Sequence, residues 1–104
     1  MNDAVLTQWN TGIQPWRHQI VRTILFGSRA RGDAKPASDY DLLLIVPSHD
    51  RTLIDHCYDV VMDILLATGR LVSLKFFTPA EFTRLMNLRT PFMQHIAAEG
   101  LDLG

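Results

Sequence analysis

Apolar positions change their period several times along the chain, and each change marks an expected element. In "DAVLTQWNTG" the apolar Val5, Leu6 and Trp9 recur at helical spacing before Gly12, so the chain is expected to open on a short helix that stops there. "IQPWRHQ" follows as a connector broken by Pro15. The run "IVRTILF", Ile20 to Phe26, is rich in β-branched residues and ends at a glycine, which predicts a strand. "SRARG" behind it has room for one helical turn at most. "DYDLLLIV" predicts a second strand, nearly continuous in apolar residues after an acidic start, as expected where both faces of a sheet are covered; it stops at Pro47 and Ser48.

The period then returns to that of a helix. Leu53, Ile54, Cys57, Val60, Val61, Ile64 and Leu65 recur every three or four residues and the run closes at Gly69, which predicts the main amphipathic helix of the molecule. "LVSLKFFT" alternates as a third strand, with Val72, Leu74 and Phe76 facing one way and Ser73, Lys75 and Phe77 the other. Thr78, Pro79 and Glu81 form a capping-box sequence that starts a helix, and Thr90-Pro91 starts another that ends at Gly100. No internal repeat, low-complexity tract or linker interrupts this order. The expected architecture is an α/β (α+β) domain, a small mixed sheet of about three strands with helices packed on it.

Length adds that residues 1–104 make one domain, with room for a single core and none for a separate substrate-recognition domain beside it. A large acceptor is expected to bring its own surface. The formal net charge of -1 provides no global field to recruit nucleic acid or an acidic membrane, so the electrostatics that matter are local and no direct nucleic-acid binding is expected. One cysteine, Cys57, excludes an intramolecular disulfide framework and a cysteine-rich zinc site; on the apolar stripe of the main helix it reads as a core residue. The start "MNDAVLTQWN" lacks the basic and apolar run of a signal peptide, and no apolar run approaches the length of a membrane span, so a cytoplasmic location is expected.

Chemistry concentrates in "LFGSRARGDAKPASDYDLLLIV", Leu25 to Val46. A strand ending in Gly27-Ser28 with a helical turn behind it can aim backbone N–H groups at an anion, and glycine allows close approach of a phosphate; Arg29 and Arg31 could add charged hydrogen bonds. Alone, the same stretch also reads as a surface turn with solvated arginines. Asp39 and Asp41, two apart on a strand, project from one face, where their carboxylates repel each other unless a cation lies between them; Mg²⁺ suits such a site. The competing reading is a strand-entrance cap at Asp39 with Asp41 merely solvated.

Taken together, "GSRARG", a short loop and "SDYDLLLIV" resemble the signature of the nucleotidyltransferase superfamily of DNA polymerase β, and in detail its minimal nucleotidyltransferases; the likeness extends through the long helix, the third strand and "PFMQHIAAEGLDL". The resemblance implies the polymerase β-like fold, with Gly27 and Ser28 on the β- and γ-phosphates of a nucleoside triphosphate, ATP by expectation. It further implies Asp39 and Asp41 on two Mg²⁺ ions, and transfer of a nucleoside monophosphate to an acceptor hydroxyl. Ser38 is placed to support a phosphate or orient Asp39, Arg29 and Arg31 are candidate phosphate or acceptor contacts, and Lys35 is expected to be solvated. Members of this family are similar to antitoxins that pair with helical HEPN-type toxins and can adenylylate them, which implies such a partner here, with a homo-oligomer also compatible.

One position departs from the pattern. Catalysing members use a third carboxylate on a later strand, in a pattern like V-D-h-h-h-h-T-P, and the corresponding "VSLKFFTP" has Ser73 there with Lys75 next on the same face. A hydroxyl is a poorer Mg²⁺ ligand than a carboxylate, and a nearby ammonium opposes the ion. Three outcomes stay open: binding of nucleotide and one metal with slow or no transfer, a substitute carboxylate such as Asp33 or one from a partner, or a shifted strand alignment, although no acid lies between Leu71 and Ala80. Two functions are therefore carried forward: an adenylyltransferase-type enzyme, and a catalytically weak or inactive member acting as a nucleotide- and partner-binding module. His18, His49, His56 and His95 show no zinc spacing and read as surface or cap residues. The aromatics read as core or interface, and Met86 and Met93 as inward packing or an adaptable surface.

Overall fold

A computed structural model describes residues 3–35 and 38–104. Helix α1 (Ala4–Gly12) is capped by Asp3, whose carboxylate accepts hydrogen bonds from the Val5 and Leu6 amides. The connector around Pro15 winds into a 3₁₀ helix, Gln14–Gln19. Its closing bond, Ile20 N–H to Arg17 O at 3.1 Å, delays the first strand, so β1 is Arg22–Phe26, two residues shorter than the expected run. The single turn α2 (Ser28–Arg31) leads to β2 (Tyr40–Ile45), and Asp50 caps the long α3 (Arg51–Thr68), which ends at Gly69 in the left-handed conformation. After β3 (Val72–Phe77), the Thr78–Glu81 capping box starts α4 (Pro79–Leu88), and Thr90 caps α5 (Pro91–Glu99).

The expectation of about three strands needs correction. Among the described residues the sheet has four, in the order β3-β2-β1-β4, because the chain leaving α5 turns back to lay β4 (Leu101–Asp102) antiparallel on β1. Two residues carry too little pattern to read as a strand. Gly100 makes the return possible, since a Cβ there would stand 2.6 Å from Ile96 O and 2.7 Å from Ile24 Cγ2. Strands β1 and β2 pair antiparallel and β2 and β3 parallel, so α3 serves as the crossover that a parallel pair requires.

Successive residues of β2 point to opposite sides of the sheet, and both sides are covered. Leu42 and Leu44, with Leu25 and Val72, pack under Val5, Leu6 and Trp9 of α1 and Leu53, Cys57, Val60 and Ile64 of α3. Leu43 and Ile45, with Ile24, pack under Met93 and Ile96 of α5, bordered by Phe82, Leu85 and Met86 of α4. Full burial of each such side chain contributes about 1.5–3 kcal/mol, so the continuous apolar run of β2 is the joint between two cores. Burial pushes the Cys57 thiol up to about 11, which keeps it protonated and unreactive at neutral pH.

Candidate active site

The alternation that builds the two cores also places the acids. Asp41 shares its face of β2 with Leu43 and Ile45, and its cross-strand partners are Phe26 on β1 and Ser73 on β3. The next row inward is Ile24, Leu43 and Lys75. Asp41 is half-buried at the end of this face, and Asp39, just before β2, is exposed. The Asp41 carboxyl is held above the ordinary range first by burial and then by the charge of Asp39, with Lys75 pulling the other way. The two carboxylates therefore interact, and the ammonium of Lys75 reaches the same field.

Gly27 links this acid to the loop after β1. It lies at φ 76° and ψ -159°, and a Cβ there would be 2.6 Å from Asp41 Oδ2, so only glycine lets the loop backbone rest against the carboxylate. Ser28 begins α2 directly behind it. The Gly27 carbonyl accepts from the Ala30 and Arg31 amides at 3.1 Å, which fixes the turn.

The remaining predicted residues divide. Arg29 donates from Nη2 to Ser38 O at 2.8 Å and lies 4.3 Å from the ring centroid of Tyr40, whose hydroxyl donates to Asp3 Oδ2 at 2.6 Å. It clamps the base of the acidic loop to α1. The Ser38 hydroxyl accepts from the Lys35 amide at 3.0 Å and so shapes the loop before Asp39. Arg31 pairs with Asp33 at 3.2 Å and with Glu99 of α5 at 3.6 Å, while Lys35 is exposed as expected. Asp33 thus faces Arg31, and among the described residues no three His, Cys, Asp or Glu side chains come together as a metal-holding group.

A cavity of about 170 Å³ opens beside Gly27, lined by Phe26, Arg31, Phe92, His95 and Glu99 among others. Phe26 and Phe92 meet edge to face at 5.5 Å between centroids, and Lys75 Nζ lies 5.8 Å from the Phe92 centroid. Phe92, His95 and Glu99 were not legible as site residues, although their three- and four-residue spacing places them on one face of α5. Of the histidines read as surface or cap residues, His49 is exposed and bonds Glu81 at 2.7 Å, and the half-buried His56 bonds the Gly12 carbonyl at the end of α1 at 3.0 Å. A wider hollow along α4, around Thr83, Arg84 and Asn87, shares none of the predicted site residues.

The family model described as nucleotidyltransferase domain matches residues 13–95, which include every residue of this site up to His95. No curated protein matches the sequence. Among solved structures, one described as a toxin-antitoxin with AMP-PNP aligns over 100% of this chain and 73% of its own, at TM-score 0.61 and 17% identity. A mutant of the toxin-antitoxin MntA-HpeT aligns over 100% and 72%, at TM-score 0.60 and 15% identity. A tri-AMPylated Shewanella oneidensis HEPN toxin in complex with MNT antitoxin aligns over 96% and 71%, at TM-score 0.53 and 16% identity. At these identities the likeness is one of fold.

Proposed function

Because the chain belongs to the nucleotidyltransferase-domain family, we propose that it binds ATP with Mg²⁺ at the Gly27–Asp41 junction and transfers AMP to a hydroxyl of a HEPN-type partner protein, as the antitoxin of a toxin-antitoxin pair. One observation carries the reading. The glycine loop that would hold phosphates rests on one of two mutually repelling carboxylates, so an anion and the cation that neutralises it would meet at a single point. Two carboxylates fit a hydrated Mg²⁺ that completes its shell with phosphate oxygens and water.

In the proposed reaction the acceptor hydroxyl oxygen bonds to the α-phosphorus, the bond from that phosphorus to the bridging oxygen of the β-phosphate breaks, and pyrophosphate leaves while the hydroxyl proton passes to solvent. Gly27 and Ser28 hold the leaving phosphates, and Arg31 and His95 line the cavity beside them. Asp39 and Asp41 hold the metal, which when bound neutralises charge on the triphosphate and lowers the pKa of the hydroxyl. Ser38 and Arg29 keep the acidic loop in register.

A second reading rests on Ser73. On β3 it pairs with Asp41 of β2, at the position where catalysing relatives are expected to carry a third acid, so a protein that binds nucleotide and partner without efficient transfer is favoured by that one position. Incubating the protein and a HEPN-type partner with Mg²⁺ and ATP labelled in its α-phosphate separates the two. Label on the partner that disappears with Asp39→Asn plus Asp41→Asn establishes transfer. A stable complex without label establishes the module, and the absence of any thermal shift with nucleotide and Mg²⁺ refutes both.

A further inference from the structure

Helix α3 has two apolar sides. Leu53, Cys57, Val60, Val61 and Ile64 face the core. Tyr58, Met62 and Leu66 recur every four residues on the other side and are 48%, 52% and 79% exposed. At about 100° per residue, Met62 and Leu66 point away from the sheet, so packing within the chain does not account for them. Tyr58 extends the strip sideways, its ring 6.1 Å from that of Phe76 on β3, which is an edge strand among the described residues. Interleaved with this strip run Asp55, Asp59 and Asp63, all exposed, and among the described residues only Asp55 has an ion partner, Arg51 at 3.6 Å.

We propose that this face docks an amphipathic helix of a partner protein whose apolar stripe is flanked by lysine or arginine. Charge decides the occupant. Two copies meeting through α3 would set their aspartate rows side by side, and an anionic membrane would be repelled by them, whereas a basic helix buries the apolar strip and neutralises the row. The surface lies across the sheet from Asp41, because α3 covers Leu42 and Leu44 while Asp41 shares the face of Leu43. Docking therefore leaves the nucleotide site uncovered. The inference adds a surface to the partner reading above, and it can stand or fall separately.

Two synthetic amphipathic peptides with the same leucine stripe, one flanked by lysine and one by glutamate, are titrated against the full chain by fluorescence anisotropy. The lysine peptide is expected to bind and the glutamate peptide not. Met62→Ser plus Leu66→Ser, both at exposed positions, should weaken binding about tenfold or more, and Asp59→Asn plus Asp63→Asn should remove most of its salt dependence. Equal binding of both peptides, no binding of either, or indifference to Met62→Ser plus Leu66→Ser overturns the proposal. So does self-association in sedimentation velocity that this same pair of substitutions abolishes, which would assign the face to a second copy. The thermal shift with ATP and Mg²⁺ is read in parallel: its absence alongside lysine-peptide binding refutes the proposed function and leaves the docking surface standing.

Discussion

Replacing Gly27 by alanine tests the contact on which the site is built. At φ 76° and ψ -159° the backbone lies in a region populated almost only by glycine, where another residue costs about 1–3 kcal/mol. The added Cβ would also stand 2.6 Å from Asp41 Oδ2, forcing that side chain off its rotamer at a further cost of about 0.5–1.5 kcal/mol. Together these predict roughly 2–4 kcal/mol of destabilisation, a fall in Tm of order 10–20 °C for a chain of this size. Gly32 supplies the control: its φ is 81°, but a Cβ there meets nothing within 4 Å, so Gly32→Ala incurs only the left-handed penalty of about 1–2 kcal/mol. Denaturant unfolding measures both losses, and because the two glycines occupy different φ/ψ regions the clash itself is isolated by coupling to Asp41. In a double-mutant cycle, Asp41→Ala removes the oxygen that the new methyl meets, so Gly27→Ala should cost less in that background by about 0.5–1.5 kcal/mol. Equal losses for Gly27→Ala and Gly32→Ala, with no coupling to Asp41, would refute the claim that the loop rests on the carboxylate.

Asp41→Asn probes the same carboxylate through pH. A carboxyl held above its ordinary value favours its protonated form in the folded state, so the stability it contributes is complete below the unfolded carboxylate range and lost as pH rises through its folded pKa. The variant should therefore raise the Tm of the ligand-free protein at neutral pH and lose the shift caused by ATP and Mg²⁺; an unchanged response to Mg²⁺ would exclude Asp41 as a ligand. Ser73→Asp places a third carboxylate beside Asp41, and is expected to lower the ligand-free Tm while increasing both the Tm gain from Mg²⁺ and the rate of label transfer; slower transfer would count against Ser73 as the missing ligand position. Thr78→Ala removes the cap on the Glu81 amide, with an expected loss of about 1 kcal/mol in denaturant unfolding. Glu81 is held below its ordinary value by the Thr78 amide and then by His49, so its contribution is present above the unfolded carboxylate range and fades as pH falls through its folded pKa; a cap cost that grows toward acid pH would contradict this.

Most of the fold was legible because its elements carry long patterns or explicit stops. Helix α3 has eighteen residues of unbroken periodicity between Asp50 and Gly69, and α4 has a complete capping box. Strand β4 was invisible because two residues are too short a run to show a strand's alternation. The 3₁₀ helix around Pro15 escaped for a related reason, since its short local bonds ask little of residue type. Spacing and resemblance singled out Gly27, Asp39, Asp41 and Ser73 as candidates, and the parallel register of β2 with β3 sets Ser73 opposite Asp41. The orientations of the arginines were not legible. Arg29 turns to Tyr40 and Ser38, and Arg31 to Asp33 and to Glu99 on α5, because several acceptors surround each guanidinium and sequence spacing does not choose among them.

The sheet keeps two kinds of chemistry apart, and the period of a strand is the reason. Moving one residue along β2 exchanges the face of Asp41 for that of Leu42, which lies in the core shared with α3. Changes that weaken the acidic row, such as serine at position 73, therefore leave the packing of α3 untouched, since the two are separated by the sheet. The reverse also holds: polar substitutions on the outer strip of α3 remove no contact made by Gly27, Asp39 or Asp41. A protein built this way can lose transfer while retaining its partner. If the proposed function and the proposed docking surface both hold, Ser73 beside an exposed apolar strip on α3 favours partner binding over transfer. The Asp39→Asn plus Asp41→Asn variant should accordingly bind the lysine-flanked peptide as wild type does, and a matching loss of peptide binding would show that the two faces are coupled through the sheet.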